Sequence, residues 1–225
     1  MEINLRLDDA EFLAGVVVAR DVKLAPTPAS LAQQLDTLVA ERASQDYPPP
    51  PEKEAIRQML RRGGFRPAGR NKPASEYLAQ TAREGRFPRI NNLVDINNLL
   101  SLESGLPISL LDLAAVGSAA EIRYGREGEK YVFNVAGQEI ELAGLVCVCG
   151  RAGGEGSPSI PLGNPVKDSM AGKIKDHTTG VIGVVYGSTA VLDAAAMARL
   201  LAEFARLLKQ CAGANEVESM VLSRT

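Results

Sequence analysis

Hydrophobic positions along the chain follow two spacings, one typical of helices and one typical of strands. An unbroken apolar run at residues 12–19 predicts a buried strand, because short β-branched runs are typical of strands covered on both faces. Glycines follow most of the remaining apolar segments, and Ser30 precedes one as a candidate cap, so these positions indicate helix ends. Apolar side chains at steps of three and four predict helices over 30–44, 53–62, 74–83, 91–105 and 192–211.

From residue 121 onward the apolar segments become short and are separated by turns that contain glycine. They predict strands over 121–124, 130–135, 145–149 and 181–186. The Gly-, Pro- and Ser-rich residues 150–168 predict a long loop, and loops of that length are often functional. Four consecutive prolines at 48–51 cannot donate backbone hydrogen bonds, so we expect an extended spacer there.

Helical and strand segments are partly segregated along the chain, and this arrangement predicts the fold class. We expect an α+β fold with a mainly antiparallel β-sheet or barrel-like core, α-helical insertions and a C-terminal helix. The segments on either side of the prolines are too small to fold alone. We therefore expect residues 1–225 to form a single domain.

Composition indicates an ordinary globular protein without a membrane span. Hydrophobic residues make up 45% and charged residues 23% of the 225 residues, and the net charge is -2. Any nucleic-acid contact therefore requires a local basic patch. With no long apolar run, no secretory start and only three cysteines, we expect a cytoplasmic protein with reduced thiols.

The absence of several motifs narrows the possible chemistry. A single histidine and the lack of a CxxC pair argue against a conventional metal site. No dinucleotide fingerprint, phosphate loop or GxSxG elbow is present. We therefore predict no metal and no cofactor, and any enzymatic activity is expected to proceed without one.

Two stretches of the chain carry the pattern of a known family. Residues 64–78 read GFRPAGRNKPASEYL, and residues 90–112 match every fixed position of I-N-N-x-V-D-x-x-N-x-x-x-x-E-x-G-x-P-x-x-x-x-D. Residues 161–169, which read PLGNPVKDS, add a third part, followed by Thr178. Over residues 56–187 the chain resembles free-standing relatives of the editing module (the B3/B4-type tRNA-binding domain) of the bacterial phenylalanyl-tRNA synthetase beta subunit.

The resemblance implies a barrel-like core and an activity on aminoacyl-tRNA. In the synthetase this module hydrolyses tyrosine wrongly attached to the phenylalanine tRNA. A pocket built for an apolar ring rejects an added hydroxyl only weakly, so a second site is needed to remove errors. Because the aminoacyl ester is already activated, its hydrolysis needs a positioned water and an oxyanion contact rather than a nucleophilic triad.

Two positions depart from the synthetase pattern. Ser109 stands where the synthetase signature has a histidine, and the place of an editing-loop glutamate falls near Ala171. Two functions therefore remain open. The chain is either a hydrolase that acts in trans on mischarged aminoacyl-tRNA, or a non-catalytic module that binds tRNA or an amino-acid-like small molecule.

Candidate residues fall into three groups, each with a structural alternative. Histidine is the residue type whose unperturbed pKa lies near neutrality, so His177 is a candidate general base, although a lone histidine is more often a surface or packing residue. The predicted catalytic residues are Asp168, Ser169, His177 and Thr178. The predicted substrate-binding residues are Arg70, Asn71, Lys72, Glu76, Asp95, Asn98 and Ser109, and for several of them capping a turn or forming an Arg–Glu pair is the alternative.

An excess of basic residues predicts where RNA would bind. Residues 57–89 contain nine arginines and lysines but only two glutamates. A phosphate backbone would be attracted to such a patch, although a charged stretch is also typical of a solvated surface. The predicted RNA-binding residues are Arg61, Arg62, Arg66, Arg86 and Arg89.

Overall fold

The computed structural model describes residues 1–151 and 157–224 of the chain. Its helices are α1 (Ala29–Ala43), α2 (Pro50–Arg62), α3 (Ala74–Arg83), α4 (Asn92–Ser104), α5 (Leu113–Val116) and α6 (Ala194–Ala212). Its strands are β1 (Glu2–Leu5), β2 (Phe12–Arg20), β3 (Ile108–Asp112), β4 (Ala119–Tyr124), β5 (Lys130–Val132), β6 (Glu139–Glu141), β7 (Val146–Gly150), β8 (Ile160–Gly163), β9 (Gly180–Ser188) and β10 (Glu216–Ser223). The fold is therefore α+β, as predicted; the single domain over residues 1–225 stays a prediction.

The central sheet is built around strands β2 and β9. Its order is β10–β2–β9–β3, and every neighbouring pair is antiparallel. Strand β2 is buried over Phe12–Ala19 and pairs with β9 along its whole length. Both faces of β2 are covered, which explains why its sequence is a continuous apolar run rather than an alternating one.

A second sheet packs into the same hydrophobic core. Its order is β1–β4–β7–β8, with β1 and β4 parallel and the other pairs antiparallel. Strands β5 and β6 form a separate two-stranded sheet. Among the residues that the structure describes, neither four-stranded sheet closes on itself, so the core consists of open sheets rather than a closed barrel.

Helix α4 connects the helical layer to the central sheet. It contacts α1, α3, α6 and β3, and ten of its 13 residues are buried. Helix α6 packs an apolar stripe against β2 and β10. Across residues 1–151 and 157–224, none of the helices combines the length and apolar character needed to cross a bilayer.

Two adjacent asparagines fix the start of α4. The Asn91 side chain accepts a hydrogen bond from a backbone N–H in the first turn and so caps the helix. Asn92 is fully buried; its Oδ1 accepts from the N–H of Ala25 at 3.0 Å, and its Nδ2 donates to the carbonyls of Lys23 and Cys211, each at 2.9 Å. The pair therefore joins α4 to the segment after β2 and to the end of α6.

Two local predictions about helix starts are wrong. Pro50 and Pro51 are not part of an extended spacer but form the first turn of α2, with Pro49 as its cap residue. The reason is that the N–H groups of a first helical turn have no acceptor within the helix, so proline loses nothing there. Ser30 lies inside α1 and makes no capping bond, because the helix begins one residue earlier, after Pro28.

Several strands were missed because their neighbours in the fold determine them. The predicted loop 150–168 contains β8, and its residues 152–156 lie outside the described part of the chain. Strand β10 is an edge strand rich in polar residues, and β2 supplies its hydrogen-bond partners. Strand β3 is buried on both faces although it contains a serine and an aspartate. Its residues therefore form neither a continuous apolar run nor an alternation of apolar and polar positions, the two patterns that predict a strand.

The role of Asn92 can be tested by removing its side chain. We expect Asn92→Ala to lower the free energy of unfolding by about 3 kcal/mol or more, because a fully buried side chain that bonds three backbone groups is lost. Asn91→Ala, which removes only a cap, is the control and is expected to cost about 1 kcal/mol. Urea denaturation measures both, and equal losses for the two variants would contradict this role.

Candidate functional site

A cleft opens between the helical layer and the strands beside α3 and α4. It has two adjoining parts of about 780 Å³ and 520 Å³, which is the size range of small-molecule sites. Residues of α3 and α4 line one side, and residues of β3 and of the segment 164–174 line the other. The residues that line both parts are Tyr77, Val166, Lys167, Asp168 and Lys173.

Asp168 lies where the two parts meet and is held there by a network of hydrogen bonds. Its Oδ1 accepts from the Ser109 hydroxyl at 2.6 Å and from the backbone N–H of Asn164 at 3.2 Å. The Ser109 Oγ is also 2.8 Å from the Tyr186 hydroxyl. Because Ser109 has one proton and donates it to the carboxylate, we assign Tyr186 as the donor to Ser109.

The environment of Asp168 changes its protonation. Burial raises the pKa of this carboxyl from 3.8 to about 6, against the opposing effect of the hydrogen bonds from Ser109 and from the N–H groups of Asn164 and Leu110 and of the charge on Lys173. Desolvation is therefore stronger than hydrogen bonding here. A carboxyl group that titrates near neutral pH in a cleft is a candidate for proton transfer.

The second part of the cleft has an apolar wall with a polar patch. The apolar side chains that line it are Leu78, Ile90, Val94, Ile108, Leu110 and Ile174. Asn97 and Asn98, on adjacent positions of α4, both line this part as well. The Oδ1 atom of Asn97 is buried and has no hydrogen-bond partner among the described residues, so this wall also carries an unused acceptor.

The first part of the cleft has a basic rim formed by Arg70, Lys72, Lys167 and Lys173. Lys167 lies over the Phe133 ring at 4.3 Å, and desolvation together with the nearby Arg70 lowers its pKa. Lys173 donates to the carbonyl of Phe133 at 2.7 Å. Among the lining residues that the structure describes, Asp168 is the one carboxylate, so four cations surround a single acid.

The four predicted catalytic residues are not brought together. Only Asp168 lines the cleft. Ser169 is buried, and its hydroxyl accepts from the N–H of Ala171 at 3.2 Å. Thr178 donates to Asp112 at 2.7 Å, which ties the segment after the cleft to β3. His177 is exposed, lies in the turn that precedes β9, and is not among the residues that line the cleft.

The predicted substrate-binding residues divide between the cleft and the framework around it. Arg70, Lys72 and Asn98 line the cleft. Asn71 lies in the 3-10 turn of residues 69–71 beside the cleft and is not among its lining residues. Ser109 is fully buried beneath Asp168 and therefore reaches a ligand only through that carboxylate.

Two predicted binding residues form structural bonds instead. Asp95 accepts from the Thr27 hydroxyl at 2.7 Å and from the N–H of Ile90 at 3.0 Å, so it braces the entry to α4. Glu76 accepts two hydrogen bonds of 2.7 Å from Arg57. This Arg–Glu pair is the structural alternative to substrate binding. Both carboxylates are thereby occupied.

Four of the five predicted RNA-binding arginines form ion pairs in the structure. The acids that pair with Arg62 and Arg89 come from other elements, so the composition of residues 57–89 could not reveal those pairs. The pairs are Arg61 with Glu54, Arg62 with Asp9 and Glu11, and Arg89 with Asp36, while Arg86 pairs locally with Glu84. Arg66 is exposed and forms no ion pair among the described residues. Their contact with RNA stays a prediction.

Sequence reasoning missed the residues that hold the cleft open. Tyr131 donates to the carbonyl of Lys167 at 2.7 Å and is also bonded to Asn164, whose side chain in turn accepts from the N–H groups of Val166 and Lys167. The N-P-V-K-D run at 164–168 was the available signal, since an asparagine before proline is typical of a turn held by its own side chain.

The cysteines contribute packing at the core. Cys147 and Cys149 are both buried in β7, and desolvation raises the pKa of the Cys149 thiol to about 12. Such thiols are poor nucleophiles at neutral pH. Throughout the parts of the chain that the structure describes, no group of three or more His, Cys, Asp or Glu side chains could hold a metal ion.

The open, mainly antiparallel sheets, the helical layer and the cleft around Asp168 define an α+β module with a cleft of ligand size. The B3/4 domain family matches residues 58–194, more than half of the chain, and the chain belongs to that family. This match confirms the resemblance drawn from residues 64–78 and 90–112.

Similar proteins support the same assignment. The chain is 31% identical over 145 residues to the phenylalanine–tRNA ligase beta subunit of Pseudomonas putida, a match that covers 63% of this chain and 18% of that protein. It is 30% identical over 94 residues to the corresponding subunit of Bartonella henselae, covering 38% and 12%. The chain thus spans less than a fifth of the curated relatives it matches.

A solved structure also aligns with this chain. It is an N-terminal fragment of the phenylalanyl-tRNA synthetase beta subunit from Pyrococcus horikoshii. The TM-score is 0.49 at 9% sequence identity, and the alignment covers 99% of this chain and 54% of that one.

The raised pKa of Asp168 predicts a pH-dependent stability. The folded protein holds the proton up to about pH 6 whereas the unfolded chain loses it near pH 3.8, so ionisation between these values destabilises the fold. Asp168→Asn keeps an acceptor for Ser109 but cannot ionise. We expect the melting temperature of the variant minus that of the wild type to rise from pH 4 to pH 7.

Differential scanning calorimetry across this pH range measures the effect. Asp176→Asn, at an exposed position nearby in the sequence, is the control and is expected to show a difference that is flat with pH. A flat difference for Asp168→Asn as well would contradict the buried, high-pKa carboxyl.

Proposed function

We propose that the chain binds the aminoacylated 3′ end of a tRNA in the cleft and hydrolyses the ester that joins the amino acid to the terminal ribose. The observation that carries this proposal is the position of Asp168, a carboxyl with a pKa of about 6 at the centre of a basic-rimmed cleft. Membership of the B3/4 domain family directs the proposal toward tRNA.

The two parts of the cleft suit the two parts of such a ligand. The apolar wall of α3, α4 and β3 accommodates the side chain of the amino acid. The basic rim attracts the ribose and phosphate of the terminal nucleotide, because Arg70 presents a planar set of donors and Lys72 a point charge. Asp168 then lies between them, next to the ester.

Asp168 is the proposed general base. Its carboxylate accepts a proton from a water that attacks the ester carbonyl; the bond between that carbon and the ribose oxygen then breaks, and the ribose oxygen takes up the proton as it leaves. A pKa of about 6 leaves Asp168 mostly ionised at neutral pH while keeping it basic enough to act. A carboxylate has about four acceptor positions, and the bonds from Ser109, Asn164 and Leu110 leave room for that water.

A non-catalytic binding module is the second candidate. It is supported by the two departures from the synthetase pattern. Ser109 is fully buried, and Ala171 stands exposed near the place of the synthetase's glutamate. In this case Asp168 pairs with the α-ammonium group of the amino acid and the ester stays intact.

A deacylation assay separates the two candidates. The protein is incubated with a panel of correctly and wrongly charged tRNAs, and release of the amino acid is followed over time. We expect release from at least one charged tRNA, and a loss of about 100-fold or more in Asp168→Asn, because a general base contributes at least that much. Measurable tRNA binding with no release above background would leave only the binding module.

The basic rim predicts a separate effect on affinity. We expect Arg70→Ala to weaken tRNA binding by about tenfold with little change in melting temperature, because Arg70 is exposed and loses only a charged contact with the ligand. Arg199→Ala, at an exposed position of α6 away from the cleft, is the charge-matched control. A large drop in melting temperature for Arg70→Ala would show instead that this side chain braces the fold.

A further inference from the structure

A second, smaller cavity lies between the start of α2 and helix α3. Its volume is about 270 Å³, and it shares Gly69, Lys72 and Gln80 with the cleft while excluding Asp168. The residues that line it are Tyr47, Pro48, Lys53, Arg57, Gly69, Lys72, Glu76, Gln80 and Arg83. We call it the basic pocket.

Four of the nine lining residues of the basic pocket are cations. Glu76 is its one carboxylate, and both oxygens of that buried group already accept 2.7 Å hydrogen bonds from Arg57. The ion pair holds the Arg57 guanidinium in place and raises its pKa. The positive charge of the other three cations is therefore not balanced by any lining residue.

These three cations lack strong partners of their own. Lys53 is partly buried and forms no side-chain hydrogen bond or ion pair with any described residue. Arg83 makes a single 3.4 Å contact with the carbonyl of Tyr47. Lys72 donates to the neutral side chain of Gln80. A cation forms stronger hydrogen bonds with an anion than with a neutral carbonyl or amide, so the basic pocket is suited to a negatively charged group.

We propose that the basic pocket is a phosphate-binding site, formed by Lys53, Lys72 and Arg83 and supported by the Arg57–Glu76 pair. A phosphate group offers acceptor oxygens in several directions, which matches ammonium and guanidinium donors that come from three separate segments. The basic pocket is enclosed by side chains on more than one helix, whereas a solvated charged surface has its cations spread over one face.

The phosphate can come from two sources. The basic pocket adjoins the cleft through Lys72 and Gln80, so an RNA strand that ends in the cleft can place a backbone phosphate here. The RNA source rests on the proposed function. A small phosphate compound is the other source, and it requires no RNA.

Binding of inorganic pyrophosphate and of short RNA tests the site. Isothermal titration calorimetry at constant ionic strength measures binding of pyrophosphate to the wild type and to Lys53→Ala and Arg83→Ala, with Lys209→Ala on α6 as the charge-matched control. The second arm uses an oligoribonucleotide that ends in CCA and the same sequence with neutral methylphosphonate linkages. Arg57→Ala is avoided because it would leave Glu76 buried without its partner.

We expect Lys53→Ala and Arg83→Ala each to weaken binding at least fivefold, and Lys209→Ala to leave it unchanged. If the two variants lose affinity only for pyrophosphate, the ligand is a small phosphate compound. If they lose affinity for the RNA but bind the methylphosphonate strand as the wild type does, the pocket binds a backbone phosphate. Equal affinity of all variants for both probes, or no saturable binding of either, overturns the proposal.

Failure of this site and failure of the proposed function are distinguishable. Lys53 and Arg83 line the basic pocket but not the cleft, and Asp168 lines the cleft but not the basic pocket. Absence of deacylation with intact, Lys53-dependent pyrophosphate binding would contradict only the proposed hydrolysis. Deacylation that persists without any phosphate binding would contradict only the basic pocket.

Discussion

Partial burial of Asp168, which desolvates its carboxylate, is the constraint on which the cleft depends. A charge in this position needs hydrogen bonds from several elements, and it receives them from Ser109 of β3 and from the backbone after β8. Tyr186 of β9 forms a hydrogen bond with the Ser109 hydroxyl. Even Gly163 is part of this arrangement, because a Cβ there would lie 2.9 Å from Asp168 Oδ1. The central sheet and the second sheet are thus joined at the carboxyl that the proposed chemistry uses.

The distribution of charge follows from the same packing. Five of the eight arginines of the stretch 57–89 form ion pairs, and three of them pair with acids of the N-terminal strand region, α1 and α2. Of the basic residues in this stretch without an ion pair to any described residue, Arg70, Lys72 and Arg83 line the cleft or the basic pocket, whereas Arg66 is exposed outside both. A chain with a net charge of -2 therefore presents concentrated positive charge at two adjacent concavities. The proposed ligand has phosphate groups, which match the basic rim and the basic pocket, and an amino-acid-sized apolar part, which matches the apolar wall of the cleft.

How much was predictable differs between the fold and the site. The apolar run of β2 and the periodic helices α3, α4 and α6 were predicted to within a few residues, since their apolar residues follow a continuous run or the three- and four-residue steps of a helix. Strands β3 and β10 were not, because pairing with β9 and β2 stabilises them despite polar residues. In the site, Asp168 and Arg70 were found from the family pattern, whereas Lys53 and Tyr186 carry no local signal of their role.

The amino-acid sequence by itself determined the α+β class, the family and the segments that surround the cleft, because hydrophobic spacing and the motif at 90–112 are properties of residue order. Only the tertiary structure decided which polar side chains serve the framework and which face a ligand. Asp95 and Glu76 carry the same carboxylate group as Asp168, and the Thr178 hydroxyl was predicted beside it, but partners from distant segments occupy all three. Hydrogen bonds saturate, so a polar side chain is available to a ligand only where the fold leaves it an unfilled position.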